Sequence, residues 1–105
     1  MTAIALVRAT FADEHEAERI GRAMIEAHLA ACVNIDRVRS IFRWKSVVES
    51  ESEAAALFKT RPALAQTLAD RIAARHSYDQ PVIEIWTAEV ADDVARWIAE
   101  STSVS

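Results

Sequence analysis

The sequence has few of the residues that interrupt regular structure. Its 105 residues include one glycine, two prolines and one cysteine. Flexible linkers and low-complexity segments are therefore not expected, and the length is that of one ordinary domain. Cys32 has no second cysteine with which to form a disulfide, which is typical of a reducing compartment. We predict a single domain over residues 1–105.

A surplus of basic residues and a long apolar run are also lacking. The chain has 12 Lys and Arg against 16 Asp and Glu, a formal net charge of −4. A nucleic-acid-binding surface needs a basic patch, and a membrane helix needs about 20 apolar residues. Neither nucleic acid nor membrane is therefore an expected partner. The first residues lack the basic segment of a signal peptide, so we expect a cytoplasmic protein.

Hydrophobic periodicity predicts four strands and three helices. Asp13 followed by Glu16 is a capping-box pattern for the first helix, and Gly21 inside that helix predicts a close approach to the sheet. Thr60 is the predicted N-cap of the second helix. The predicted strands are 3–9, 31–44, 47–60 and 81–90, and the predicted helices are 12–30, 61–76 and 91–100.

The order of these elements is β-α-β-β-α-β with an extra C-terminal helix. This is the split βαβ, ferredoxin-like arrangement, an α+β fold. Right-handed crossovers place both long helices on one face of a four-stranded antiparallel sheet. The central hairpin has arms longer than the mean strand of about 5–6 residues. Such a hairpin, with a second apolar face, predicts strand-sharing in an oligomer.

Charge favours one register for this hairpin. A three-residue turn, 45–47, would place Arg43 opposite Glu49, whereas a two-residue turn would place Phe42 there. Opposite charges in direct cross-strand positions contribute about 0.2–1 kcal/mol, so the charges favour the three-residue turn. The alternating charges are Arg39 and Arg43 on the first arm and Glu49, Glu51 and Glu53 on the second.

Four sequence segments carry a family resemblance. They are LAACVNI, SIFRW, LFKT and H-x-Y-x-x-P, in this order, with AERI in the first helix and Trp97 in the last. Together they resemble the CutA divalent-cation tolerance family over nearly the whole chain. The resemblance implies a cytoplasmic homotrimer whose long hairpins pair between subunits, and a link to copper and other divalent metal ions. No cofactor is expected to be obligatory, and the implied metal is copper or another divalent ion.

The chain departs from the family pattern at several positions. Ser46 stands where the family has Gly at the hairpin tip. Ser77 and Asp79 replace the Pro and Glu of H-P-Y-E, and Val82 replaces the Glu after Pro81. The geometry of the turn and the set of carboxylates are therefore the features on which this chain is expected to differ.

A cluster of polar residues lies where the second helix ends. Imidazole, thiolate and carboxylate are suitable ligands for copper and zinc, which makes His76, Cys32 and Asp79 the metal-ligand candidates. One chain has too few such donors for a closed four-coordinate site, so binding would be weak or shared between subunits. The alternatives remain open: His76 can cap the helix end, and Cys32 can be a small buried apolar residue.

A ligand pocket and a subunit interface are also predicted from these segments. The candidates for the pocket are Lys59, Tyr78 and Trp44, with Lys59 placed to capture an anion beside the start of a helix. Phe42 and Trp44, on the hairpin, are the predicted interface anchors because aromatic residues dominate subunit contacts.

Motifs of common enzymes are missing from the sequence. It contains no G-x-S-x-G elbow, no H-E-x-x-H and no glycine-rich phosphate loop, so an enzyme is not expected. The predicted function is a homotrimer linked to divalent-metal tolerance that binds metal weakly or at subunit interfaces. Two alternatives remain open: a sensor of a small molecule or anion, similar to the PII-type trimers, and a structural trimer that presents loops to a protein partner.

Overall fold

A computed structural model describes residues 1–104, and its elements follow the predicted order. A short 3₁₀ turn at Pro62–Leu64 precedes the second helix. The strands are β1 (Thr2–Phe11), β2 (Cys32–Trp44), β3 (Val47–Thr60) and β4 (Ile83–Val90), and the helices are α1 (Glu14–Glu26), α2 (Ala65–Arg75) and α3 (Asp92–Ser101).

The four strands form one antiparallel sheet in the order β2-β3-β1-β4. The predicted α+β class is confirmed. Helices α1 and α2 pack on one face, over a core that includes Val7, Phe11, Ile20, Met24, Phe58, Leu68 and Ile72. Helix α3 covers part of the other face, where Ile98 packs with Ile4 and Leu6. The remainder of that face carries the groove described below.

Helix α1 begins as predicted and ends earlier than predicted. The Asp13 carboxylate accepts the Glu16 N–H at 2.8 Å, which confirms the N-cap. The helix ends at Glu26 because His28 adopts a left-handed conformation, with φ 59°. The Leu29 N–H then donates to the Met24 carbonyl at 3.0 Å, a common way to end a helix. Glycine usually occupies such a position, so the sequence pattern did not mark this end.

Gly21 gives α1 the close approach to the sheet that its position predicted. A Cβ atom at Gly21 would lie 3.1 Å from Cγ1 of Val33, on β2. This distance is shorter than an ordinary van der Waals contact, so the missing side chain lets the helix lie against the strand. The entropic cost of a glycine inside a helix, roughly 1 kcal/mol, is offset by that packing.

The predicted role of Thr60 as an N-cap is wrong. Thr60 is fully buried, and its Oγ1 has no hydrogen-bond partner among the residues that the structure describes. Arg61 occupies the cap position of the 3₁₀ turn and makes no capping bond through its side chain. Thr60 pairs with Ala5 in the sheet and points to the same side as Phe58, so its hydroxyl lies in the core.

The predicted register of the hairpin is also wrong. Trp44 pairs with Val47, Arg43 pairs with Val48, and Phe42 pairs with Glu49. The loop is therefore the two-residue turn Lys45-Ser46, and the arginines lie on the opposite face of the hairpin from the glutamates. Arg39 instead donates to Ser50 Oγ at 3.1 Å.

The geometry of this turn explains why charge did not decide the register. Lys45 and Ser46 both have positive φ, 50° and 68°. Positive φ at both central residues is characteristic of a type I′ turn, whose twist matches the right-handed twist of the two strands. A correct twist benefits every pair along the hairpin, whereas each surface charge pair contributes only about 0.2–1 kcal/mol.

Replacement of Ser46 by glycine should stabilise the protein. A residue with a Cβ loses roughly 1–2 kcal/mol in the left-handed region, and glycine avoids most of this loss. We expect Ser46→Gly to raise the free energy of unfolding by about 1 kcal/mol, measured by urea denaturation. Ser52→Gly, in the exposed part of β3, is the matched control and should destabilise, because glycine weakens a strand. Equal effects of the two substitutions would contradict a strained turn.

Candidate functional site

The imidazole of His76 is buried and held on both of its nitrogens. Its side chain has 0% exposed surface and stacks on Phe11, with ring centroids 4.6 Å apart and 11° between the planes. Nε2 lies 2.7 Å from the carbonyl oxygen of Thr10, and Nδ1 lies 3.0 Å from the N–H of Tyr78. A carbonyl can only accept and an amide can only donate, so the proton lies on Nε2 and the Nδ1 lone pair is already used.

His76 occupies the predicted capping position, but its ring has neither of the two predicted roles within this chain. It is the C-cap residue of α2, but its ring bonds to β1 and not to the last carbonyls of the helix. Neither ring nitrogen has a free lone pair for a metal ion within this arrangement. Sequence spacing did not indicate this, because Thr10 and His76 are 66 positions apart in the chain.

A buried carboxylate holds the next residue of the turn. Glu16 accepts the Ser77 N–H at 2.8 Å and the Ser77 hydroxyl at 2.9 Å. In a capping box, this carboxylate would accept the N–H of Asp13. Its contact there is instead with the N–H of Ala12, at a long distance of 3.4 Å. A proline in place of Ser77 has no N–H, so the main-chain bond to Glu16 depends on this departure from the family pattern.

The phenol of Tyr78 binds the base of the hairpin. Its hydroxyl donates to Glu53 Oε2 at 2.7 Å, and its ring lies 4.8 Å from that of His76. Partial burial raises the pKa of Tyr78 above the usual range of a phenol, and the hydrogen bond to Glu53 and the negative charge of that carboxylate raise it further. Glu16 and Glu53 are site residues that sequence reasoning missed, because they were interpreted as a helix cap and a surface charge.

The three predicted metal ligands do not meet within one chain. Cys32 pairs with Lys59, which pairs with Leu6 of β1, whereas His76 bonds to Thr10 of the same strand. Four residues of strand separate these points by about 13 Å. Residues 1–104 contain no group of three or more His, Cys, Asp and Glu side chains placed to hold a metal ion.

Cys32 and Asp79 are both reachable from solvent. Cys32 is half-buried, and its Sγ–H donates to Asn34 Oδ1 at 3.7 Å, so it is not the fully buried apolar residue of the alternative interpretation. Asp79 is exposed in the turn before β4. Within a chain these donors, with His76, do not fit one metal centre; their role as ligands stays a prediction for sites completed by another chain.

The three predicted pocket residues are spread along the hairpin. Trp44 pairs with Val47 at the tip, and Lys59 is 12 positions further along β3, about 40 Å away. Tyr78 contacts the hairpin between them, at Glu53. A pocket that contains all three residues would therefore need more than one chain.

Two surface grooves lie away from most of these candidates. The first, of about 380 Å³, is on the side of the sheet that carries α3 and is lined by Arg8, Asn34, Ile35, Asp36, Ala55, Leu57 and Trp86. Beside it, Arg8 Nη1 pairs with Glu84 Oε1 at 3.3 Å. The second, of about 460 Å³, is at the base of the hairpin and is lined by Ala12, Asp13, Glu14, His15, Arg37, Ser52, Glu53 and Ala54.

The sequence and the fold are similar to those of proteins of one family. A family model for the CutA1 divalent ion tolerance protein matches residues 5–101. The divalent-cation tolerance protein CutA of Pyrococcus horikoshii is 34% identical over 98 residues, which cover 92% of this chain and 96% of that protein. The protein CutA, chloroplastic, of Arabidopsis thaliana is 31% identical over 92% of this chain and 54% of its own length.

Solved structures show the same similarity. The divalent ion tolerance protein CutA1 of Ehrlichia chaffeensis superposes with a TM-score of 0.93 at 29% identity, and the match covers 99% of each chain. The protein described as the periplasmic divalent cation tolerance protein CutA of Archaeoglobus fulgidus has a TM-score of 0.91 at 33% identity, covering 97% of this chain and 100% of that one. This chain belongs to the CutA1 divalent ion tolerance family, as its sequence segments indicated.

The names of these relatives mention no reaction. Three of them refer to tolerance of divalent cations or ions, while the Arabidopsis name mentions a chloroplast and the Archaeoglobus name a periplasm. In the present chain, none of the helices within residues 1–104 has the length and apolar character needed to cross a lipid bilayer.

Alkaline pH should destabilise the protein through Tyr78. Because the pKa of Tyr78 is raised in the native state, the unfolded chain loses the phenol proton near its ordinary pKa of about 10 while the native chain keeps it. The contribution of this group is therefore present below about pH 10 and is lost as pH rises towards the native pKa. We expect the free energy of unfolding to fall more steeply above that pH than in Tyr78→Phe.

The chain offers a direct measurement of this shift. Tyr78 is its one tyrosine, so the ultraviolet absorbance of tyrosinate reports this residue alone. The midpoint in the native protein should be higher than the midpoint in the urea-unfolded protein. Coincident midpoints would contradict the hydrogen bond to Glu53.

Proposed function

We propose that this chain is a cytoplasmic, non-enzymatic homotrimer that contributes to tolerance of divalent metal ions, copper among them. Each chain would form one ferredoxin-like domain, and the long hairpins would join the subunits. Membership of the CutA1 family supports the link to divalent ions. The lone Cys32, which has no second cysteine with which to form a disulfide within the chain, favours a reducing compartment such as the cytoplasm.

The exposed apolar side chains of the hairpin are the main observation that supports the trimer. Pairing with β1 ends at Ala54, so β2 and β3 pair only with each other beyond that point. We call residues 38–44 and 47–53 the hairpin ribbon. Its large apolar side chains are exposed: Ile41 (69%), Phe42 (37%), Trp44 (51%), Val47 (57%) and Val48 (61%). Phe42, Trp44 and Val47 share one face of the ribbon, and Ile41 and Val48 share the other. Monomeric proteins rarely expose apolar groups of this size together, and further copies of the chain would cover them.

Truncation of an aromatic anchor should weaken the assembly. Buried aromatic residues contribute most to subunit contacts, so Trp44→Ala should lower the fraction of trimer at micromolar concentration. Sedimentation velocity should show one species of three chains for the wild type and smaller species for the variant. A wild-type monomer at that concentration would contradict the trimer.

Two valines provide a matched pair for the same measurement. Val48, in the ribbon, is 61% exposed, and Val82, in the connection before β4, is 63% exposed. Val48→Lys would place a charge in the proposed interface and should dissociate the trimer, because a buried unpaired charge is unfavourable. Val82→Lys adds the same charge elsewhere and should leave the sedimentation unchanged.

Metal binding is proposed to be weak and to use donors from more than one chain. Two observations support this: the dispersed donors within the chain and the partial exposure of Cys32. A thiolate is a suitable ligand for Cu(I), so Cys32→Ser should lower the Cu(I) affinity of the assembled protein, measured by competition with a Cu(I) chelator. Asn34→Ala, which removes only the hydrogen-bond partner of the thiol, is the control and should retain the affinity.

Two other results would change the proposed function. An unchanged Cu(I) affinity in Cys32→Ser would remove Cys32 from the metal site. Calorimetric binding of a nucleotide or a carboxylate, without binding of Cu(II) or Zn(II), would favour the small-molecule sensor.

A further inference from the structure

We infer that the turn after α2 is a bracket that holds the base of the hairpin ribbon, and that it is not a set of metal ligands. The bracket consists of His76, Ser77 and Tyr78. It joins the end of β1 to Glu53, the ribbon residue nearest the sheet. The hydrogen bonds use the ring nitrogens of His76, a predicted metal ligand, and the hydroxyl of Tyr78, a predicted pocket residue.

The ribbon needs such support because of its own geometry. Phe11 is the last residue of β1 and pairs with Ala54, while β4 pairs with β1 no further than Ala9. Residues 38–44 and 47–53 therefore form a two-stranded extension of a four-stranded sheet. An isolated two-stranded hairpin is at best marginally stable in water. Contacts at the base of the ribbon therefore contribute to the stability of this two-stranded extension.

One end of the bracket is anchored in the body of the fold. His76 bonds to Thr10 and stacks on Phe11, the last two residues of β1. Ser77 is held through two hydrogen bonds by the buried carboxylate of Glu16, in the first turn of α1. Removal of a partner from a buried polar group costs more free energy than the same loss at the surface, so these bonds hold this end of the bracket strongly.

The other end reaches the ribbon directly. Glu53 is the first β3 residue beyond the pairing with β1, and it accepts the Tyr78 hydroxyl at 2.7 Å. This is a charge-assisted bond, stronger than one between two neutral groups. A phenol is protonated throughout the neutral range, so Tyr78 remains the donor in this bond. The Nδ1 atom of His76 accepts the Tyr78 N–H and so orients the residue that makes this contact.

A second contact at the base of the ribbon is weaker. Arg37, which pairs with Ala54, places its Nε 2.8 Å from Glu14 Oε1. The Arg37 and Glu14 side chains are 78% and 52% exposed, and ion pairs of this kind contribute little to stability. Tyr78 is therefore the positioning residue, and loss of its hydroxyl should destabilise the ribbon.

Native-state hydrogen exchange of the full chain tests the bracket. Tyr78→Phe keeps the ring and removes only the hydroxyl. We expect the ribbon amides, 38–44 and 47–53, to exchange about tenfold faster, as for loss of a hydrogen bond to a charged acceptor. Amides in the β1–β4 ladder should keep their rates. Glu53→Leu should have the same effect, and the double variant should exchange no faster than either single variant.

Two further variants distinguish positioning from general destabilisation. Glu53→Gln keeps an acceptor for the phenol and should retain most of the protection in the ribbon. Thr2→Val removes another hydroxyl–carboxylate bond of 2.7 Å, between Thr2 and Asp92 at the opposite end of β1, and should leave ribbon exchange unchanged. Uniformly faster exchange in Tyr78→Phe, or unchanged exchange in the ribbon, would overturn the bracket.

A metal titration separates the bracket from the proposed function. If the turn is a bracket and not a ligand set, Tyr78→Phe should bind Cu(II) no more weakly than the wild type, although its ribbon exchanges faster. A clear loss of Cu(II) affinity in this variant would show that the turn is a ligand set and would overturn the inference. The bracket lies within one chain, so hydrogen exchange decides it even if sedimentation shows a monomer.

Discussion

The difference in length between β1 and the two hairpin strands produces the two-stranded extension of the sheet. β1 has 10 residues, while the hairpin arms that follow have 13 and 14. Because β1 ends at Phe11, hydrogen bonding across the sheet stops there and the hairpin continues alone. The same end of β1 receives the imidazole of His76, so the ribbon and the turn that supports it start at one place.

Local backbone conformation and surface charge competed in the hairpin, and backbone conformation prevailed. The two-residue turn requires left-handed conformations at Lys45 and Ser46, neither of which is glycine. It separates the arginines of one arm from the glutamates of the other. Surface charges are solvated in either register, whereas strand twist is a property of every residue in the ribbon. The family glycine missing at Ser46 therefore strains the turn without changing its type.

The polar residues of the H-x-Y segment bind other parts of the protein in the fold. Their side chains look like ligands in the sequence because imidazole, phenol and carboxylate are all chemically able to bind ions. In the fold, His76, Ser77 and Tyr78 bond to Thr10, Glu16 and Glu53, whereas Asp79 is exposed.

The sequence by itself determined the elements of this protein, and the tertiary structure decided how its polar groups are used. Periodicity, the Asp13 cap and the segments around Cys32 and Lys59 are local signals, and they predicted the order of elements and the family. The register of the hairpin depends on left-handed conformations at Lys45 and Ser46, which these residue types do not signal. The burial of Thr60 and the partners of His76 depend on residues far apart in the chain. No sequence pattern predicts a hydrogen bond between such residues, because their donors and acceptors come together only when the chain folds.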